Sequence, residues 1–349
     1  MTTANVIRYT ATPRQARKWV EMALRSGLVP FLQSSPGLGK SSLMRLIAKQ
    51  WGLKLIDHRL STSDPTDLSG LPDTKGRKAT FLPFDLFPVE GDELPAGYDG
   101  WMIFLDEFNS AHKDVQAAAY KLILDRMVGQ HKLHERVVIA CAGNLSTDRA
   151  ITNELSTAMQ SRVVHIEMVH SFKEWLEDVA IPGNYDRRVI AFLNSSKSSL
   201  MDFRPEHDDH TFDCPRTWEF VNNLCQNIPL SQMEDYQGLF AGTISSGTAT
   251  SFVQFCRVFE NIPTFREIIA DPEGTPITSD GSTRWAIVTM LLEDTTESTL
   301  EKVHKYVDRL STEFRVLFYR ALLVKHPKLR ENPIMAKAII NLSHYLRQD

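Results

Sequence analysis

Apolar residues in the first half of the chain gather into short unbroken runs, separated by stretches of helical spacing. Leu28–Gln33, Leu53–His58, Trp101–Leu105, Val137–Ala142 and Val163–Met168 read as strands. Trp101–Leu105 is fully apolar, and five such strand candidates separated by helices predict a parallel five-stranded sheet covered by helices on each side. Helices are expected over 13–26, with Ala16, Trp19, Met22, Ala23 and Leu24 on one side, and over Ser41–Gln50. A third is expected over Lys113–Met127, with Val115, Ala118, Ala119 and Leu122 inward. Residues 61–100 break the rhythm. They carry Pro65, Pro72, Pro83, Pro88 and Pro95, and Phe81, Phe84 and Phe87 read as exposed. A connection of that length inside a compact domain is expected to be an inserted functional loop.

Beyond Met168 only helical patterns remain. Phe172–Val179, Arg187–Leu193, Arg216–Gln226, Ser231–Thr243 and Thr250–Glu260 are the candidates, followed by a polar hinge over 271–282. Val303, Val307, Leu310, Phe314 and Leu317 then keep helical spacing, as do Met335, Ala338, Ile339, Leu342 and Tyr345. The expected organisation is an α/β core over 1–169, a smaller helical domain over 170–265 that serves as a lid and a C-terminal helical extension over 266–349.

The strand Leu28–Gln33 runs into Ser34-Ser35-Pro36-Gly37-Leu38-Gly39-Lys40-Ser41-Ser42, which opens a helix. A Gly-rich turn between strand and helix, closed by Gly-Lys-Ser, points successive backbone N–H groups and the positive helix end at phosphate. The phosphate-binding residues are therefore Ser35, Pro36, Gly37, Leu38, Gly39, Lys40, Ser41 and Ser42. Lys40 would reach the β- and γ-phosphates of ATP, and the Ser41 hydroxyl would ligate Mg²⁺. The usual pattern opens with glycine, where this chain has Ser34. Nucleotide affinity is in question there, because glycine makes such turns easily.

About 65 residues after the loop, Trp101–Leu105 ends in Asp106 and Glu107. Ligands of open α/β sheets bind at the carboxyl ends of strands, so Asp106 is placed to hold Mg²⁺ and Glu107 to polarise the attacking water. The run Val137–Ala142 ends in Gly143-Asn144, whose amide could hold that water; an Asn after Gly is also a common turn residue.

In this order these residues resemble the AAA+ ATPases, and at finer grain their MoxR branch, over most of residues 10–265. The resemblance rests on Ser35–Ser41, on Asp64-Pro65-Thr66-Asp67-Leu68-Ser69-Gly70-Leu71-Pro72 and on Leu105-Asp106-Glu107-Phe108-Asn109. It continues through Val115-Gln116-Ala117-Ala118, Arg126-Met127-Val128-Gly129 and Ala142-Gly143-Asn144. It implies an αβα P-loop core with Asn144 as the sensor-1 residue, preceded by a hairpin over Gln130–Arg136. Leu155–Arg162 looks like the helix ending in an arginine finger, with Arg149 as competitor, and Cys214-Pro215-Arg216-Thr217-Trp218 is similar to a sensor-2 motif. Arg162 would then reach the nucleotide of a neighbouring subunit, and Arg216 would report nucleotide state to the lid. The implied activity is Mg²⁺-dependent ATP hydrolysis by a homo-oligomeric ring, hexameric by expectation, that remodels a protein client. Such proteins often act with a von Willebrand factor A domain partner.

Composition narrows the field. With 349 residues, 42% hydrophobic and 23% charged, the chain can bury two or three domains. No apolar run is long enough to span a membrane, and Met1-Thr2-Thr3-Ala4-Asn5 lacks the features of a secretory leader. Cys141, Cys214, Cys225 and Cys256 show no paired spacing, against a zinc module or a disulfide framework. The expected setting is cytoplasmic. His207-Asp208-Asp209-His210 reads as a solvated loop. A net charge of −4 does not favour nucleic acid as the main partner, though a strand-threading motor using Lys75, Arg77, Lys78 or Lys132 is the alternative.

Overall fold

The computed structural model describes residues 9–75, 78–148, 153, 155–206, 208–257 and 262–346, apart from the side chains at 282 and 343–346. Arg77, Arg149 and His207 lie outside these residues. The chain divides into two compact units, Met1–Ser171 and Phe172–Asp349.

In the first unit, β1 (Thr10–Ala11) and α1 (Pro13–Arg25) lead to β2 (Val29–Gln33), α2 (Lys40–Gln50) and β3 (Leu53–Arg59). Then follow α3 (Pro65–Ser69), β4 (Leu71–Asp73), β5 (Thr80–Leu82), β6 (Gly100–Asp106) and α4 (Lys113–Leu124). The unit closes with β7 (Met127–Val128), β8 (His131–Lys132), β9 (Val137–Gly143), α5 (Thr157–Gln160) and β10 (Val163–Met168). Six strands form one sheet in the order β1-β10-β2-β9-β6-β3, with every pairing parallel. The five expected strands are present; the sixth, β1, is two residues at the edge, too short to leave a periodic signal. All seven residues of β6 are buried. Separate apolar clusters cover the two faces of the sheet, one around Phe31, Ile103 and Leu122, the other around Leu32, Met44 and Phe104. Each such side chain contributes about 1.5–3 kcal/mol by leaving water.

The α1 helix buries Ala16, Val20, Ala23 and Leu24, whereas Trp19 and Met22 face outward, so the apolar side expected from the sequence is rotated toward Val20. Thr12 and Gln15 cap its start reciprocally. Within 61–100, β4 and β5 pair as an antiparallel hairpin. Phe81 and Phe84 are exposed there as expected, but Phe87 is buried at 2% and packs edge-on against His58. The hairpin before β9 is formed by β7 and β8, so its first strand lies ahead of Gln130.

The second unit is helical: α6 (Phe172–Trp175), α7 (Arg187–Ser195), α8 (Pro215–Cys225), α9 (Gln237–Ala241), α10 (Ser246–Cys256) and α11 (Phe265–Ala270). It continues through α12 (Gly281–Asp294), α13 (Leu300–Val307), α14 (Thr312–Lys325) and α15 (Pro333–Leu346). One apolar cluster runs from Trp175 to Leu342. In α12 every residue from Trp285 to Leu292 is buried. A helix apolar all round has no stripe to betray it in sequence, which is why periodicity passes it over. The Val303–Leu317 pattern is two helices broken after Val307, and the 231–243 stretch keeps only the short α9 as α-helix. All four cysteines are buried and free; burial pushes the Cys225 thiol up to about 12, far from a reactive thiolate. Among the described residues no helix is long and apolar enough to cross a membrane.

Candidate functional site

The strand order places β9 between β2 and β6, so the loop after β2, the acids ending β6 and the residue after β9 emerge side by side. Gln33 registers with Gly143, and Cys141 with Leu105. This is the crevice beyond the carboxyl ends of parallel strands.

After β2 the chain turns through Gly37 (φ 78°) and Gly39 (φ 83°), both in the left-handed region that residues with a Cβ rarely adopt. Gly39 precedes α2 without a side-chain cap, leaving the first-turn amides of this eleven-residue helix open to an anion. Lys40 folds back over the loop. Its Nζ donates to the Ser34 carbonyl (3.0 Å), to Ser34 Oγ (3.2 Å) and, across 104 residues of chain, to Asn144 Oδ1 (3.0 Å). Ser34 is fully buried, yet it is not among the described non-glycine residues with positive φ. The turn therefore needs no glycine at its first position.

Ser41 Oγ donates to Asp106 Oδ2 at 2.8 Å, and Asp106 Oδ1 accepts the Glu107 amide at 2.8 Å. A buried carboxylate beside a hydroxyl forms a hard-oxygen donor pair that suits Mg²⁺, which takes one or two protein ligands and completes its shell with phosphate and water. Among the described residues no group of three or more His, Cys, Asp or Glu gathers, as such a metal permits.

Glu107 sits at φ 54°, ψ 35°, a left-handed conformation costing about 1–2 kcal/mol for a residue with a Cβ. Strain of this kind collects where the surroundings impose a particular aim on a side chain. The Glu107 carboxylate meets the Ser61 hydroxyl and, at 3.6 Å, Arg59 Nε. Arg59 registers with Asp106 on the neighbouring strand, so the sheet itself brings the guanidinium alongside. The pair is solvent-exposed and contributes little to stability.

Asn109 is a residue to which sequence reasoning gave no role. Its Nδ2 donates to the Asn144 carbonyl (2.7 Å) and its Oδ1 accepts the Asn144 amide (3.1 Å), clamping that residue from both sides. No spacing rule links positions 35 apart that follow different strands; the contact exists because β6 and β9 are paired. A Cβ at Gly143 would lie 2.1 Å from Asn109 Oδ1 and 2.9 Å from Phe31. Gly143→Ala is expected to displace the clamp, costing about 1–3 kcal/mol by overpacking. Thermal unfolding alongside a turnover assay checks this, and both readouts should fall.

Arg162 follows α5, is exposed, and donates to the Ala158 carbonyl (2.7 Å) and Ser161 Oγ (2.9 Å), with its guanidinium 5.5 Å from the Tyr120 ring centre. A cation at a helix C-terminus is favoured by the dipole. Arg216 belongs to the second unit, exposed in the first turn of α8. Asp213 anchors that start by accepting from the Ser245 amide (2.8 Å) and Thr248 Oγ1 (2.6 Å), and burial raises its pKa above the usual carboxylate range. Asp209 of the His/Asp loop accepts from Ser246 Oγ at 2.7 Å. Lys75, Lys78 and Lys132 are exposed on the two hairpins, which meet where a His131 ring nitrogen lies 2.8 Å from the Phe81 carbonyl.

No family model and no curated protein matches the chain. Solved structures similar to it include the Thermotoga maritima RuvB Holliday junction branch migration motor, at 13% identity over 94% of this chain and 87% of that one, TM-score 0.32. A point mutant of the same RuvB gives 14% identity over 83% and 87%, TM-score 0.36. NtrX from Brucella abortus gives 13% identity over 98% and 69%, TM-score 0.34. At such scores the likeness carries no functional argument, and function has to be read from the site residues.

Proposed function

We propose that this chain is an AAA+ ATPase of MoxR type, which hydrolyses ATP at the interfaces of a homo-oligomeric ring and uses the work to remodel a partner protein. The observation that carries the reading is the meeting of three strand ends: Lys40 on Asn144, and Ser41 on Asp106. Neighbouring acids and amides are common, but a Gly-rich loop, its lysine, a buried acid and an amide joined by direct contacts form a phosphoryl-transfer constellation.

In this reading Lys40 would turn from Asn144 toward the β- and γ-phosphates, and Ser41 and Asp106 would hold Mg²⁺. The bound metal ion would offset charge developing on the transferred phosphoryl group. Glu107 takes a proton from the attacking water, which requires its carboxylate to be shared with or released from Ser61. Asn144 Oδ1, once freed from Lys40, accepts the second hydrogen of that water while Asn109 keeps its backbone fixed. Arg162, exposed and braced by Tyr120, would serve the nucleotide of an adjacent copy.

Such a finger supplied in trans contributes about 10³–10⁵ to turnover. Arg162→Ala subunits and Glu107→Gln subunits should therefore each be inactive alone and partly active when mixed, because they damage different sides of one shared interface. Phosphate release from verified mixed assemblies tests this. Mixtures as inactive as their components would remove the trans role, and a monomer that hydrolyses ATP briskly at high dilution would remove the ring.

A further inference from the structure

Ser34 fills the loop position where glycine is usual, and the hydrogen bonding around it is specific. Its hydroxyl donates to the Ser35 carbonyl at 3.0 Å, which fixes the proton and turns lone pairs of Oγ toward the Lys40 ammonium. The same ammonium reaches the Ser34 carbonyl at 3.0 Å, so one residue grips Lys40 through two oxygens. Ser34 is itself fully buried and Lys40 is half-buried, so both contacts are partly shielded from water.

We propose that Ser34 is a positioning residue for Lys40, holding the ammonium within the loop before nucleotide arrives, so that the more usual glycine would weaken this site. The proposal rests on reading the loop as a phosphate cradle. Lysine has a long, flexible stem, and its rotamer freedom is lost when it engages phosphate. A lysine already held has lost that freedom in the empty state, and pre-organisation of this kind appears as affinity. The ammonium has three donors. Two can pass to phosphate oxygens, the Asn144 contact and the one to the Ser34 carbonyl being given up, while the third stays on Ser34 Oγ. Ser34→Ala deletes the hydroxyl grip and leaves the backbone unchanged. Ser34→Gly deletes it and adds backbone freedom to a turn that does not use positive φ here.

The test measures ATP dissociation constants, KM and kcat for the full-length wild type, Ser34→Ala, Ser34→Gly and Lys40→Ala, with a melting curve for each. Losing one hydrogen bond to a charged group predicts ATP binding about tenfold weaker in Ser34→Ala, and at least as weak in Ser34→Gly. KM should rise in step, kcat should stay within about twofold, and melting should be unchanged. Ser34→Gly binding as tightly as wild type overturns the proposal, as does a loss that falls on kcat alone or that tracks a lowered melting temperature. Lys40→Ala separates the two levels of inference. If it binds ATP as wild type does, the cradle itself is wrong and the role of Ser34 falls with it. If Lys40→Ala loses binding while the Ser34 variants do not, only Ser34 is dismissed.

Discussion

Lys40→Ala should abolish measurable ATP binding. The ammonium contacts both the loop (Ser34) and the opposite strand end (Asn144) in this crevice. Each hydrogen bond from a charged donor contributes about 1.5–3 kcal/mol, so losing two to phosphate weakens binding by roughly two orders of magnitude or more. Folding should suffer far less. The side chain is only half-buried, and the oxygens it leaves face a crevice that water can enter. Calorimetric titration with ATP, alongside a melting curve, provides the measurement. An alanine variant that melts like wild type and still binds ATP tightly would reject the phosphate cradle, and the ATPase reading would go with it.

Glu107→Gln should separate binding from chemistry. Glutamine keeps the shape of the residue and an oxygen for the Ser61 hydroxyl, while losing the charge that attracts Arg59. That ion pair is exposed, so its loss changes stability by no more than about 1 kcal/mol. What disappears is the base. General-base catalysis contributes typically 10²–10⁴-fold, and turnover should fall by about that factor while the ATP dissociation constant stays within a few-fold. Single-turnover phosphate release is the decisive readout. Near-normal turnover would take Glu107 out of the mechanism. If the predicted state forms, it is also the best bait for the client, because an ATP-bound remodeller that does not hydrolyse should retain what it holds.

The left-handed backbone at Glu107 bears on the same experiment. A Glu107→Gly variant would relieve the strain but remove the carboxylate, whereas Glu107→Gln retains the strain and the aim. Both variants lack the carboxylate charge, so a difference between their turnover rates reports what the aimed side chain contributes apart from charge.

Much of the core was written in local sequence. Parallel strands buried on both faces are apolar along most of their length, so β2, β6 and β9 declared themselves without reference to any partner. The Gly-rich turn, Lys40 and Ser41 are likewise contiguous, and their chemistry depends on a few neighbouring bonds. The strand-end acids Asp106 and Glu107 were visible for the same reason. The helices of residues 172–349 were less legible. Where a helix is apolar all round, as in α12, periodicity has nothing to read, and where two helices share a phase across a short break, as in α13 and α14, periodicity joins them.

Tertiary structure decided the rest. Which strand lies between β2 and β6 is set by chain crossovers, and it determines that Asn144 meets Lys40. The β6–β9 pairing brings Asn109 to Asn144, and the β3–β6 pairing brings Arg59 and Ser61 to Glu107, across sequence distances at which no motif operates. The acceptability of Ser34 was also settled in three dimensions, by a backbone that stays out of the left-handed region and a lysine that returns to the hydroxyl. Local sequence determined which chemical groups the crevice could use, because each belongs to a short segment whose conformation is dictated by near neighbours. Strand order and register determined which of those groups touch, because contact between segments depends on how distant apolar surfaces are buried together.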